Sequence, residues 1–331
     1  MSVQASYRYL GKSGLRVSVP ILGGMSIGSP QWVPWVLQED KALEVLKAAW
    51  DSGVNTIDTA NAYSNGESER VIAKFIKQNN IPRENIVILD KIGFPVAPDV
   101  GTFTFGMFDG DTRDYVNRTG LSRAAIFNEV DASLRRLETT YIDLLQIHVF
   151  DSAVPIEETM KALHDLVSSG KVRYIGACNL RAWQLAEANH VAELHGWTQF
   201  ICVQVEHSLL YRPQEVEMFA YCAHKGTGII SYSPLMDGHL ARPIETETFR
   251  TRNINGTPFE KKRRPSDHAI IKRVQELADK HGWSMAQVAL AWSNTKVSSL
   301  IVGANSPDRL RGCITTGKTL TPEDFAYLEA P

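Results

Sequence analysis

The sequence predicts a (β/α)8 barrel, and three observations carry that expectation. Short apolar runs alternate with amphipathic stretches of helical period about eight times, chemically capable polar residues close successive runs, and the chain is only somewhat longer than the ~250 residues typical of this fold. Strands separated by helices read as βαβ units, which place the strands parallel and their C-terminal ends at one mouth.

The elements follow in order. Tyr7–Leu10 and Leu15–Ser18 flank a turn bearing Gly11 and Gly14, so residues 1–18 read as a hairpin that closes the bottom of the barrel. The first barrel strand is expected at Val19–Leu22, followed by a helix at Glu39–Ser52. Val54–Asp58 then leads to Gly66–Lys77, Ile86–Asp90 to Ser122–Arg136, and Ile142–Ile147 to Pro155–Ser168. The second half pairs Val172–Gly176 with Ala182–Leu194, Phe200–Gln204 with Gln214–His224, and Gly228–Ser231 with Asp267–Lys280. Ser298–Val302 and Ser306–Ile314 complete the set. Two connections are unusually long, residues 92–121 after the third strand and 236–265 after the seventh. The first carries Phe94, Phe103, Phe105, Phe108 and Tyr115, and five aromatic rings argue against disorder; the second holds the basic run Lys261–Arg264. Residues 1–331 are read as one domain.

With 44% hydrophobic residues the chain can fill a large core, and a net charge of −2 gives no electrostatic reason to expect nucleic acid or an anionic membrane. No run of about 18 apolar residues occurs, and the N-terminus lacks the apolar stretch of a signal peptide, so a cytoplasmic protein is expected. Cys178, Cys202, Cys222 and Cys313 show no CxxC spacing and should remain thiols. The Asn117 and Asn255 glycosylation triplets read as chance matches without secretion.

The most informative segment is Asn55–Tyr63, where Asp58 ends an apolar run and Tyr63 follows five residues later. Lys91 and His148 close the next two runs. A phenol becomes a working proton donor when a nearby ammonium lowers its pKa from about 10, and Lys91 could supply that ammonium. Singly, each residue has a plainer reading: Asp58 as a cap or partner of a surface lysine, Tyr63 as a packing ring, Lys91 as a rim charge, His148 as a structural histidine. Their joint placement at the ends of neighbouring strands favours catalysis. No metal is expected, because the nine histidines are scattered and no clustered Cys/His set exists.

No strand is followed by G-x-G-x-x-G, and no Walker A motif occurs, so a nucleotide would be held elsewhere. In a barrel, phosphate commonly sits by the loops after strands seven and eight, here Ser231–Leu240 and Val302–Arg309. Ser306 followed by Pro307 is an N-cap and first-turn pair, and Arg309 lies where its guanidinium can meet a phosphate.

Asp58, Tyr63, Lys91 and His148, with Gly176–Asn179, Gln204, Tyr232–Leu235 and Ile301–Arg309, resemble the aldo-keto reductase superfamily, in order along the chain from the Tyr7 hairpin to about residue 315. Within it the chain resembles the fungal and bacterial branch of aryl-alcohol and versiconal-hemiacetal-acetate-type reductases. The resemblance implies an oxidoreductase that reduces small-molecule aldehydes and ketones with NADP(H), with NAD(H) left open, as a monomer or homo-oligomer. Tyr63 would be the general acid, Lys91 paired with Asp58 would tune it, and His148 would orient the carbonyl. Asn179 and Gln204 would hold the nicotinamide carboxamide, with Cys178 where the family often has serine, and Tyr232 would stack on the ring. Gly24 and Met25 would border that ring. Ser233, Pro234, Leu235, Gly238 and Leu240 would line the pyrophosphate, and Gly303, Asn305, Arg309 and Cys313 the adenosine end. Trp32, Trp35, Phe94 and Tyr115 would form an apolar wall for substrate, packing alone being the plainer reading of the tryptophans.

Several positions depart from the pattern. Asp90 precedes Lys91 where a small hydroxyl residue is commoner, and strand alternation should turn it toward the helix layer, where an unpaired carboxylate is costly. Val149 follows His148 in place of a longer polar residue. Gly303 and Ala304 replace a Lys-Ser pair, and Cys313 a frequent asparagine, which leaves Arg309 as the evident partner of a 2′-phosphate. A reading from another class is a regulatory NADPH-binding subunit of the potassium-channel β type; the occupied catalytic positions weigh against it.

Overall fold

The computed structural model describes residues 3–106, 110–244, 246–254, 257, 260 and 264–330. Eight parallel strands close into a barrel: β3 (Ile21–Gly23), β4 (Thr56–Asp58), β5 (Val87–Ile92), β6 (Ile142–Ile147), β7 (Val172–Cys178), β8 (Cys202–Glu206), β9 (Gly228–Tyr232) and β10 (Ser299–Val302). They pair in that order, and β10 returns to β3 with Ile301 opposite Ile21. Outside this ring, β1 (Ser6–Tyr9) and β2 (Arg16–Val19) form an antiparallel hairpin.

The hairpin docks at the end remote from the β-strand C-termini. Leu10 and Val17 pack with Ile21, Leu89, Leu144, Ile230 and Ile301 in the barrel interior. The Lys12 N–H donates to the Gly226 carbonyl at 2.8 Å. Gly11, at φ +61, lies so close to the start of β9 that a Cβ there would stand 2.4 Å from the Gly228 nitrogen. Only glycine fits that approach and that backbone conformation.

Helices α1 (Glu39–Asp51), α2 (Glu67–Gln78), α3 (Arg123–Arg136), α4 (Ile156–Ser168), α5 (Ala182–Leu194) and α6 (Met218–Lys225) surround the barrel. After β9 come α7 (Phe249–Ile254), α8 (Pro265–His281) and α9 (Met285–Ser293); α10 (Pro307–Gly312) and α11 (Pro322–Glu329) follow β10. The main core lies between strands and helices, with Ile57, Ile88, Leu145, Ile175 and Val203 meeting Leu46, Ile72, Ile126, Leu163 and Leu185.

The expected strand Val19–Leu22 is divided: Val19 ends the hairpin and Ile21 begins the barrel, because the intervening Pro20 has no N–H to give a ladder. The expected helix Gln214–His224 starts as a single 3-10 turn at Pro213–Glu215, and α6 begins only at Met218. Three helices were not anticipated. α9 is apolar nearly all round, which hides a helical period; α11 announces itself by the Thr321 capping box; α7 lies inside the second long connection. Phe108, Asn255 and Lys261–Arg263 lie outside the described residues.

Candidate active site

The C-terminal ends of the strands bring Asp58, Tyr63, Lys91 and His148 together. Lys91, on β5 and fully buried, donates from Nζ to Asp58 Oδ2 at 2.6 Å, to the Thr59 carbonyl at 2.9 Å and to the Tyr63 hydroxyl at 3.4 Å. Burial lowers the pKa of this ammonium, but the Asp58 carboxylate outweighs it and holds the pKa above the ordinary lysine range. Asp58 Oδ1 in turn accepts from Gln204 Nε2 at 2.8 Å and Gln146 Nε2 at 3.5 Å. Gln146 was missed by the sequence reading, although the strand period places it on the same face of β6 as His148.

Tyr63 differs from expectation. Burial raises its phenol to about 12, and the lowering by Lys91 does not overcome that. The group is therefore a firmly protonated donor at neutral pH. It accepts from Lys91 and gives its own proton to no described residue. His148 sits edge-on to it, with ring centroids 5.9 Å apart. Burial, then Lys91, holds the imidazole pKa well below its usual value, so the ring is neutral.

Asp90 follows expectation in its direction. Its side chain is buried, with Oδ1 accepting the Lys91 N–H at 2.9 Å and Oδ2 without a partner among the described residues. Burial and then Glu69 of α2 push its carboxyl well above the usual range. Arg136 of α3 pairs with Glu69. Val149 is half-buried beside His148.

The remaining mouth residues are arranged as follows. Asn179, at φ +58, donates to the His148 carbonyl at 3.2 Å and accepts from the Tyr232 hydroxyl at 2.8 Å. Cys178 faces Gln204 Oε1 at 3.7 Å, and burial lifts its thiol to about 12. Gly24 lies against the Asp58 carbonyl, where a Cβ would meet it at 2.8 Å. Ser233, Met236, Asp237 and Gly238 all adopt positive φ, which turns their loop into a concave run of backbone. Pro234 is buried and Leu235 half-buried, and the Leu240 side chain packs into a second core with Leu277 and Trp292. Beyond β10, Gly303 and Asn305 are exposed, and Ser306 caps α10 by accepting from the Arg309 N–H. Arg309 reaches Asn305 Oδ1 at 3.0 Å, and the Cys313 thiol is pushed up to about 12 by burial.

The apolar wall is built chiefly from Trp32, Phe94, Phe103 and Phe105, with Met25 packed against it. Phe105 stands 5.6 Å from the His148 ring and 6.3 Å from Tyr63 between centroids, and Phe94 5.1 Å from His148. Trp35 is buried beneath the Arg250 guanidinium. Tyr115 lies half-buried under Arg118. Comparison with known proteins places this barrel: the model of the aldo/keto reductase family matches residues 21–330.

The chain belongs to the aldo/keto reductase family.

It is 47% identical over 340 residues to an aldo-keto reductase of Alternaria alternata, spanning 99% of this chain and 93% of that one. It is 46% identical to a versiconal hemiacetal acetate reductase of Aspergillus parasiticus, over 98% of this chain and 96% of that one. A provisionally named aryl-alcohol dehydrogenase of Schizosaccharomyces pombe is 45% identical, over 98% of this chain and 95% of that one. Family membership makes this aldo-keto reductase an oxidoreductase of the carbonyl-reducing kind.

Proposed function

We propose that this aldo-keto reductase reduces aldehydes and ketones, aromatic or bulky ones above all, to alcohols with NADP(H), and that Tyr63 is the general acid. The observation that carries the reading is the phenol itself: it accepts from a buried ammonium and keeps its own proton free at the edge of His148. A carbonyl oxygen at that point would receive the Tyr63 proton and a second hydrogen bond from neutral His148. Lys91 stabilises the phenolate left behind, and Asp58 keeps Lys91 charged. Proton donation of this kind contributes about 10²–10⁴-fold, and holding the reactants in register contributes roughly 7–11 kcal/mol at best.

The donors at the mouth fit a nicotinamide dinucleotide. Asn179 and Gln204 offer amide groups beside Tyr232, each amide oxygen keeping a second lone pair for a carboxamide. The loop in which Ser233, Met236, Asp237 and Gly238 adopt positive φ suits a pyrophosphate, and Arg309 suits a 2′-phosphate. When bound, that cofactor supplies the hydride. A cytoplasmic setting suits four buried free thiols, and none of the described helices is long and apolar enough to cross a membrane.

The test is Tyr63→Phe, assayed by NADPH absorbance across a broad aldehyde panel and by cofactor titration. Most turnover should vanish while NADPH still binds. A variant with wild-type rates would remove Tyr63 from the chemistry and sink this mechanism.

A further inference from the structure

The two residues after Tyr63 have no part in the chemistry above, yet each grips one of the segments that wall the site. Ser64 and Asn65 both occupy the left-handed region, at φ +49 and +51, and Gly66 continues the run at +90. This departure from the helical track turns both side chains away from the path of α2. Ser64 Oγ accepts from the Ser29 N–H at 3.2 Å, at the start of the segment that carries Trp32 and Trp35. Asn65 takes the other wall. Its Oδ1 accepts from the Ala97 N–H at 2.9 Å, and its Nδ2 faces the carbonyls of Asp99, Val100 and Thr102 at 3.1, 3.2 and 2.7 Å.

Asn65 is only 3% exposed, so these bonds face little competition from water. Immediately beyond the gripped stretch the chain delivers Phe103 and Phe105. Their rings lie 5.9 and 5.7 Å from Trp32, and Phe105 touches both Tyr63 and His148. The acid and the substrate wall are thus held in register through one side chain two residues from the acid.

We infer that Asn65 is a specificity-positioning residue: by fixing residues 97–102 it sets where Phe103 and Phe105 stand over Tyr63 and His148, and so which carbonyl substrates the site accepts. This rests on the reading of Tyr63 and His148 as the carbonyl-binding pair. A large ring must be seated against Phe103 and Phe105, whereas a short aldehyde needs only the hydrogen-bonding pair.

The experiment compares wild type with Asn65→Gly, which tolerates the left-handed backbone, and Asn65→Asp, which keeps the shape and loses the donor. Each is assayed with benzaldehyde and with propanal, alongside an NADPH titration and hydrogen exchange at the Ala97 amide. Both variants should lose about tenfold in kcat/KM for benzaldehyde, chiefly through KM, while propanal stays within about threefold and NADPH affinity is unchanged. The Ala97 amide should exchange faster in Asn65→Gly, which removes its acceptor, whereas Asn65→Asp keeps that acceptor and loses only the bonds to Asp99, Val100 and Thr102. Equal losses on both aldehydes, or unchanged selectivity in active variants, would overturn the inference and leave the carbonyl-reductase reading intact. A wild-type protein that turns over neither aldehyde nor any other carbonyl would overturn that reading, and the inference with it.

Discussion

Lys91 Nζ stands 2.6 Å from Asp58 Oδ2, and the two side chains are 0% and 3% exposed. So deep a pair is costly to form, since both ions lose their water, but it is costlier to break, because one charge is then left buried alone. Two glutamines hold the far oxygen of Asp58, and the spare protons of Lys91 go to Thr59 and Tyr63. The pair is therefore both a structural joint of the barrel mouth and the electrostatic setting of the Tyr63 phenol.

Lys91→Met should destabilise the fold by about 3–5 kcal/mol, because Asp58 loses its counter-ion in a sealed site. Chemical denaturation checks this. The double variant Asp58→Asn/Lys91→Met should recover part of the stability and none of the activity. A double variant no more stable than the single one would contradict the buried-pair account.

The pH dependence has a definite sign. His148 and His207 have folded pKa values below the ordinary histidine value, each through burial first. The unfolded chain then binds more protons below about pH 6.5, so their contribution to stability is full above that pH and is lost as pH falls toward the folded values. His148→Gln should flatten part of the fall in melting temperature on the acid side, with His207 and the carboxylates held below their usual range, Asp324 among them, keeping the remainder. An unchanged slope would mean that His148 is not held neutral by burial.

Tyr63, raised to about 12, predicts the alkaline limb. The reductive kcat/KM in the free enzyme should hold through pH 10 and fall only above it, whereas alcohol oxidation, which needs a base, should rise with pH. A reductive limb already falling near pH 8 would show that Lys91 dominates over burial after all.

Arg309→Ala should weaken NADPH binding by roughly 10- to 150-fold, the worth of a charge-assisted hydrogen bond, and leave NADH nearly unchanged. Titration of both cofactors decides it. Equal losses would assign Arg309 to the pyrophosphate or to the Asn305 contact alone.

Substrate preference follows from the aromatic wall. Nitrobenzaldehyde should be preferred over free aldohexoses, because burying a ring against Phe103 and Phe105 gains about 25 cal/mol per Å², while a polyol is stripped of its hydrogen bonds. Comparable kcat/KM for the two classes would refute the assignment of those rings to substrate.

Much of this was legible in the linear chain. Strand and helix alternation, with Asp58, Lys91 and His148 closing successive apolar runs, determined the barrel and which end gathers these side chains, because parallel strands bring their C-terminal ends to one mouth. The Ser306 cap and the position of Arg309 in the first turn of α10 were equally local matters. What only the tertiary structure decided were quantities that depend on neighbours distant in sequence. Whether burial or Lys91 governs Tyr63 depends on how completely the mouth is sealed. The raised pKa of Asp90 depends on its burial and on Glu69 lying behind it on α2. The grip of Asn65 on residues 97–102 depends on a left-handed backbone and a loop more than thirty residues away in the chain. Propensity and period report what each segment does alone. Desolvation, charge pairing and long-range hydrogen bonds exist only once the barrel has closed around them.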